Sequence, residues 1–568
     1  MLNEIYEVVK PTGKPSERDI RPAAPLDTLE GKRIGMIWAA FGNGDVLLDV
    51  LAGLIKKSYP TCELVAMNPG KDLKPSEYSD PSIADVAHEN KIDAAIVTIG
   101  CCGTCTPGVV RAVCWLEEAG IPANGMVCTG FLNPGRSMAA MEGLKSVRLT
   151  EFPPPNILTQ TKDEILANAE RIFDKLIYNL THIPDTSKIV GIKNKNNADE
   201  RAIVFTGNYE EVNDYFIEEG WGDGLPIVPP TVEAMEKMLA YTDRPPGDLV
   251  VTLKPTGTQV TVWSVAVNGV MAGCKPSYMP ILLAVAEAVG EERFAMKHAG
   301  STSGWTPIIF LNGPIRSELG FNTTQGPLRP GNRANMSIGR FLHFVFRNLA
   351  GFKVGSTDLA AIGRSYLPVL PENEENSPYE PLCTDFGFDA GKNVVIVQSS
   401  GCMTFHFTTA ATAEEHLELL AREALKELQG EAIQCLGAFG DEYRPVLILS
   451  PQVANILNKA GYSKQDIRDY IYKNARITEE RFTLEMNRMY PGYTLQRIID
   501  EGFLPSSYKP ADYPATLLPL FHNNKELIII VAGFEDRNRS CFLQQIAHQG
   551  LPCAKEIVLP KAWGSLPK

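Results

Sequence analysis

The stretch Ile92–Gly120, IDAAIVTIGCCGTCTPGVVRAVCWLEEAG, decides the fold. Residues 92–100 are apolar or small, interrupted only by Asp93 and Thr98. A run without apolar/polar alternation is how a strand covered on both faces reads. The segment from Thr106 onward has helical spacing. Pro107 suits the first helical turn, where its missing N–H costs nothing, and Gly120 suits a helix C-cap. Three cysteines, Cys101, Cys102 and Cys105, fall between the two segments. The same rhythm continues outward. RIGMIWAAF (33–41), CELVAMN (62–68) and IPANGMVCT (121–129) read as strands. VLLDVLAGLIKKSY, PSIADVAHENK and KDEILANAERIFDKLIYNLT read as helices. Strand, turn, helix, strand in this order predicts a doubly wound parallel sheet with helices on both faces.

The fold class is therefore α/β: an N-terminal doubly wound parallel-sheet domain, followed by a larger multi-unit α/β second half. An extended segment, 1–30, is expected to wrap the surface. A Rossmann-like α/β domain with the Cys-X-X-Cys loop spans 31–183. The polar stretch 184–201 reads as a linker. The region 202–568 is α/β again and divides into subdomains of about 202–390 and 391–568. VVIVQSSGCMTFHF (394–407) copies the plan of the opening stretch: an apolar strand, a small-residue turn, a cysteine, then a helix-like segment.

Composition excludes several functions. With 54 Lys+Arg against 67 Asp+Glu, the net charge is -13, which repels nucleic acid overall. No basic segment followed by an apolar one opens the chain, and no run of about 18 apolar residues occurs. The reading is a soluble cytoplasmic protein without membrane or nucleic-acid partners, and a homo-oligomer by base rate. The 12 cysteines of such a chain are expected to be mostly reduced and buried.

At the carboxyl end of a parallel strand, where ligands gather, Cys102 and Cys105 sit at or just before a helix N-terminus. Free N–H groups and the helix dipole stabilise a thiolate there. A second cysteine three residues on can resolve a mixed disulfide. Gly103 frees the turn and Thr104 offers a hydroxyl. Zinc would need four ligands, and no second Cys-X-X-Cys exists. Iron–sulfur ligation matches the count of three but not the usual spacing, and buried structural cysteines are the plain alternative.

DAAIVTIGCCGTCTPGVVRAVCWLEEAGIP (93–122) resembles the selenoprotein B-type subunits of glycine, sarcosine/betaine and D-proline reductases, and the related UGSC-type (seleno)proteins. The resemblance is clear over about 33–130. It implies that Cys102 stands at the selenocysteine position with Cys105 as its partner thiol. It further implies reductive chemistry: Cys102 attacks a small substrate, Cys105 resolves the adduct, and an external thiol reductant or reductase restores both. The FGNGD loop (41–45) suits the same family, and Asn43 and Asp45 join the substrate-binding candidates. Pro107 and Gly108 depart from the reductases, so the chemistry class transfers and the amino-acid substrates do not. The alternatives are a non-redox covalent cysteine enzyme (lyase, hydratase or dehalogenase-like) and a metal-binding protein.

Further candidates lie in the second half. Arg316, Arg329, Asn332, Arg333 and Asn335 sit in glycine-rich loops, and arginine forks suit carboxylates or phosphates. Trp221 and Asp223 would line a pocket mouth. Cys402 with His406 four residues on reads as a thiolate–imidazole pair, and Cys383 could join them on a metal. No metal and no cofactor is assigned. GxxxxGK[ST], HExxH and GxSxG are absent, as is a GxGxxG after a strand.

Overall fold

The computed structural model describes residues 4–16, 18–39, 42–71, 79–184, 199–406, 409–436, 442–489, 494–500, 517–546 and 549–568. Most of the expected linker, and Phe41, lie outside them.

Strand β1 (Tyr6–Val9) precedes the first unit. In that unit β2 (Arg33–Trp38), β3 (Glu63–Met67), β4 (Ala94–Gly100), β5 (Ala123–Cys128) and β6 (Leu149–Phe152) form one sheet. Its order is β3-β2-β4-β5-β6, and every pair is parallel. Helices α1 (Gly44–Ser58) and α5 (Lys162–Thr181) cover one face through Leu47, Leu51, Ile165 and Leu176. Helices α2 (Ile83–Glu89), α3 (Cys105–Glu118) and α4 (Leu132–Met141) cover the other through Ile83, Val109, Val113 and Met138. β4 and β5 are buried along their whole length, which explains their unbroken apolar reading. The doubly wound sheet is as expected. Its order is the flavodoxin-like one, which reverses between β2 and β4, so the cysteine loop after β4 lies at the topological switch point.

A buried ion pair fixes this unit. Arg148, 1% exposed, meets both carboxylate oxygens of Glu117, at 2.5 and 2.7 Å. Glu117 also accepts from the backbone N–H of Ala23 and Ala123, and Arg148 donates to the carbonyls of Ala23 and Asn179. The end of α3, the start of β5, the base of β6, the end of α5 and the N-terminal segment thus meet at one pair. Burial pushes the Glu117 carboxyl above its ordinary value despite Arg148. The pair is therefore an anchor of geometry more than a net source of stability.

The segment 1–30 does more than wrap the surface. β1 pairs antiparallel with the strand Ile203–Gly207. Val8 and Val9 are fully buried in the core of the second half, beside the helices Tyr209–Glu218 and Val232–Leu239. The boundary expected at 390/391 is also corrected. Thr306–Asn312 lies between Leu370–Pro371 and Val394–Ser400, and Cys553–Glu556 closes the same four-stranded sheet. A cut at 390 would split that sheet. A second four-stranded sheet runs Met403–His406, Ser540–Leu543, Val446–Leu449, Ile528–Val531. The stretch after Cys402 is thus a strand before it becomes a helix, and Val394–Ser400 is antiparallel to both long neighbours. The likeness to the opening stretch ends there. No described helix is long and apolar enough to cross a membrane.

Replacing Glu117 with Gln leaves the Arg148 guanidinium buried without its counter-charge. The expected loss is about 3–5 kcal/mol, read as a downward shift of the urea-unfolding midpoint. An unchanged midpoint would remove the pair from its anchoring role.

Candidate active site

Gly100 ends β4, and α3 begins five residues later with Thr104 as N-cap. A methyl group on Gly100 would lie 2.6 Å from the Cα of Thr106, so only glycine lets the helix start so close to the strand end. In the turn between, Cys102 and Cys105 are joined by a disulfide. The Cys105 backbone N–H, the first of the helix, donates to Cys102 Sγ at 2.9 Å. Cys102 is partly exposed, whereas Cys105 is 2% exposed. One sulfur thus meets solvent and the other waits behind it. Thr104 is buried and its side chain does not cap the helix.

Cys101 has a partner outside the loop. It is disulfide-bonded to Cys128 at the end of β5, so two disulfides lie side by side at the sheet edge. Neither this pairing nor oxidation of four thiols was expected of a cytoplasmic chain. Adjacent parallel strands bring the two cysteines together, and no sequence spacing announces it. The remaining free cysteines contrast with the loop. Burial pushes Cys274, Cys541 and Cys553 up to about 12 and Cys383 up to about 11, which makes them poor nucleophiles.

The second half completes the loop's surroundings. A methyl group on Gly103 would lie 2.5 Å from Thr302 N and 2.8 Å from Gly300 O. The cysteine turn therefore rests on the backbone of Gly300–Thr302. That backbone is held by a strap, through Leu359 N–H to Gly300 O and Ala361 N–H to Thr302 O. Arg111 of α3 donates to Lys297 O at 2.7 Å, and Ser356 Oγ donates to Ser137 Oγ of α4 at 3.3 Å. Sequence reasoning missed both segments. Their signal is their composition, GSTSG (300–304) and GSTDLAAIG (355–363), small residues that let backbones touch.

Other expected site residues find structural partners. Asn43, at φ 61, donates to the carbonyls of Ile157 and Gln160, and Asp45 is exposed in the first turn of α1. Arg316 is buried and paired with Glu374 and Glu375. Asn332 caps the helix Arg333–Phe344, and Asn335 is buried and ties three loop carbonyls. Arg333 donates to Gly273 O, and Arg329 is exposed. Trp221 packs edge-on against Phe216 and Tyr215. Asp223 holds Arg340 through two bonds of 2.8 Å. Burial pushes the Asp223 carboxyl up, but bonding to Arg340 outweighs it and leaves the group below its ordinary value. These loops hold one another in shape; they do not gather their arginines into one receptor.

The Cys402–His406 pair does not form. The residues between them lie in a strand, which spaces the two by about 13 Å instead of closing them as a helix turn would. Cys402 is exposed, while His406 is buried beside Glu423 and Glu427. Those three are the only described group with metal-ligand spacing, their donor atoms lying within 4.8 Å of one another. Lys426 lies across both carboxylates, at 3.5 and 2.8 Å. Cys383 sits apart, in a buried cluster with Ile308 and Val394.

The parallel α/β unit thus presents a Cys-X-X-Cys turn at its switch point, with the partly exposed Cys102 beside a helix N-terminus. Residues 7–182 match the model of the UGSC family, which covers β1 and the entire five-stranded unit. That reach exceeds the 33–130 resemblance and stops where the second half begins. No curated protein matches the chain.

Two glycine substitutions separate contact from propensity. Gly103→Ala forces a methyl group into the Thr302 backbone, and overpacking of this kind costs about 1–3 kcal/mol. Gly53→Ala, in the open interior of α1, is expected to stabilise by up to about 1 kcal/mol. Thermal unfolding of the two variants should shift in opposite directions.

Proposed function

We propose that the protein is a cysteine-dependent oxidoreductase acting on a small molecule, with Cys102 as nucleophile and Cys105 as resolving thiol. One observation carries the reading: a partly exposed Cys102 Sγ accepts the first N–H of α3, with Cys105 Sγ in bonding reach behind it. The helix N-terminus favours the thiolate, and burial of Cys105 shields the resolving sulfur from competing substrates. The UGSC match over this unit supports the same chemistry.

In the reduced form, Cys102 thiolate attacks an electrophilic sulfur or carbon of the substrate. A covalent bond to Cys102 Sγ forms, and the leaving group departs with the bonding pair and takes up a proton. Cys105 thiolate then attacks Cys102 Sγ. The disulfide closes, and the substrate fragment leaves with two electrons and a proton. An external dithiol returns the two electrons and reopens the pair. The contact of Gly103 with Gly300–Thr302 makes the second half one wall of the approach to Cys102.

After reduction, iodoacetamide at pH 6.5 is expected to label Cys102 first, ahead of the buried free cysteines. With oxidised glutathione, Cys105→Ser should accumulate a mixed disulfide on Cys102, whereas the wild-type chain should resolve it into the Cys102–Cys105 bond. Mass spectrometry of the peptides distinguishes these states. A wild-type mixed disulfide as persistent as that of Cys105→Ser would sink the resolving role, and uniform slow labelling would sink the nucleophile.

A further inference from the structure

Two half-buried cations of the second half lack the ion-pair partners that Arg316 and Arg340 have. The helix Arg333–Phe344 runs on into a π-helical turn, Val345–Leu349, a distortion that recurs at functional sites. Arg340 and His343 on the helix and Arg347 in the turn cluster around Asp223. Arg340 is committed to Asp223. Among the described residues Arg347 has no ion pair, and its Nε is sealed from solvent with no hydrogen-bond partner. Lys353 stands against the Gly220 turn, where a methyl group would lie 3.2 Å from its Nζ, and it too has no ion pair there. The acids nearby do not answer them. Asp358 accepts from the Ala360 N–H and reaches neither cation within ion-pair distance, and Glu219 acts on Lys353 only from farther off. Partial burial lowers both Arg347 and Lys353 from their ordinary values.

These cations flank the strap that supports the cysteine turn. Lys353 N–H bonds to Thr357 Oγ1, and a methyl group on Gly300 would lie 1.9 Å from Thr357 O. Leu359, beside Asp358, bonds to Gly300, and Gly300 O lies against Gly103. The geometry points to Arg347 and Lys353 as a receptor for a small oxyanion, a carboxylate or a phosphate, beside the Gly220–Asp223 turn. The arginine offers a planar fork and the lysine a point charge, a combination that suits either anion.

The test is isothermal titration of the full-length oxidised protein, whose closed Cys102–Cys105 bond silences thiol chemistry, with malonate and separately with inorganic phosphate at low salt. Saturable one-site binding is expected. It should weaken about tenfold or more in Arg347→Gln and in Lys353→Met, recover in part in Arg347→Lys, and remain unchanged in Lys145→Gln, an exposed charge elsewhere. Binding of malonate alone assigns a carboxylate, and binding of phosphate alone a phosphate ester. Absence of saturable binding by both probes, or binding that Arg347→Gln and Lys353→Met leave intact, overturns the receptor. If Arg347→Gln does not fold, Lys353→Met carries the comparison. Intact anion binding with an unreactive Cys102 would refute the thiol reading and leave the receptor standing.

Discussion

The pairing of Glu117 with Arg148 sits at the opposite end of α3 from the cysteines, and the rest of the first unit is arranged around it. The N-terminal turn of α3 is packed too, yet it adjoins the partly exposed Cys102. The helix is also held from its other end. Here a carboxylate with three donor groups and a guanidinium with four acceptor contacts tie helix, sheet and N-terminal segment into one junction. Two buried charges are a costly way to fix a position, as the raised Glu117 carboxyl shows. Apolar contacts, being non-directional, would not set the helix rotation in the same way. The rotation matters because it decides which sulfur faces outward.

Much of this unit was legible in the sequence. β4 and β5 read as buried strands because both of their faces are covered, and α5 spans the stretch that read as helical, its start fixed by the capping box of Thr161 and Glu164. The start of α3 followed from Pro107 and the preceding glycine. The sheet order did not follow, because strand periodicity says which faces are covered and not which neighbour covers them. The Cys101–Cys128 bond was invisible for the same reason: it joins two adjacent parallel strands across 27 residues.

The second half was less legible, and the errors have physical causes. A glycine-rich loop full of arginines looks like an anion site whether its cations face a ligand or a neighbouring acid. Arg316 and Arg340 turned out to face acids. Arg347 and Lys353, which do not, lie in the unremarkable stretch FRNLAGFK, where nothing in the residue types tells a paired cation from an unpaired one. Cys402 and His406 were misjudged because a four-residue spacing means contact on a helix and separation on a strand. The contact of Gly103 with Gly300–Thr302 depends on two glycine-rich loops about 200 residues apart, and no local pattern links them.

The placement of β1 bears on how such a chain is made. Residues 6–9 are made well before their partners, Ile203–Gly207 and the helices Tyr209–Glu218 and Val232–Leu239. The five-stranded unit between them can close during synthesis, since its contacts are internal and its strands follow in order. That strand has to wait, tethered to a folded body, until the segment from Ile203 to Leu239 has emerged. The two halves of this molecule are thus consecutive in space but interleaved in time, and the last act of assembly threads the beginning of the chain into its middle.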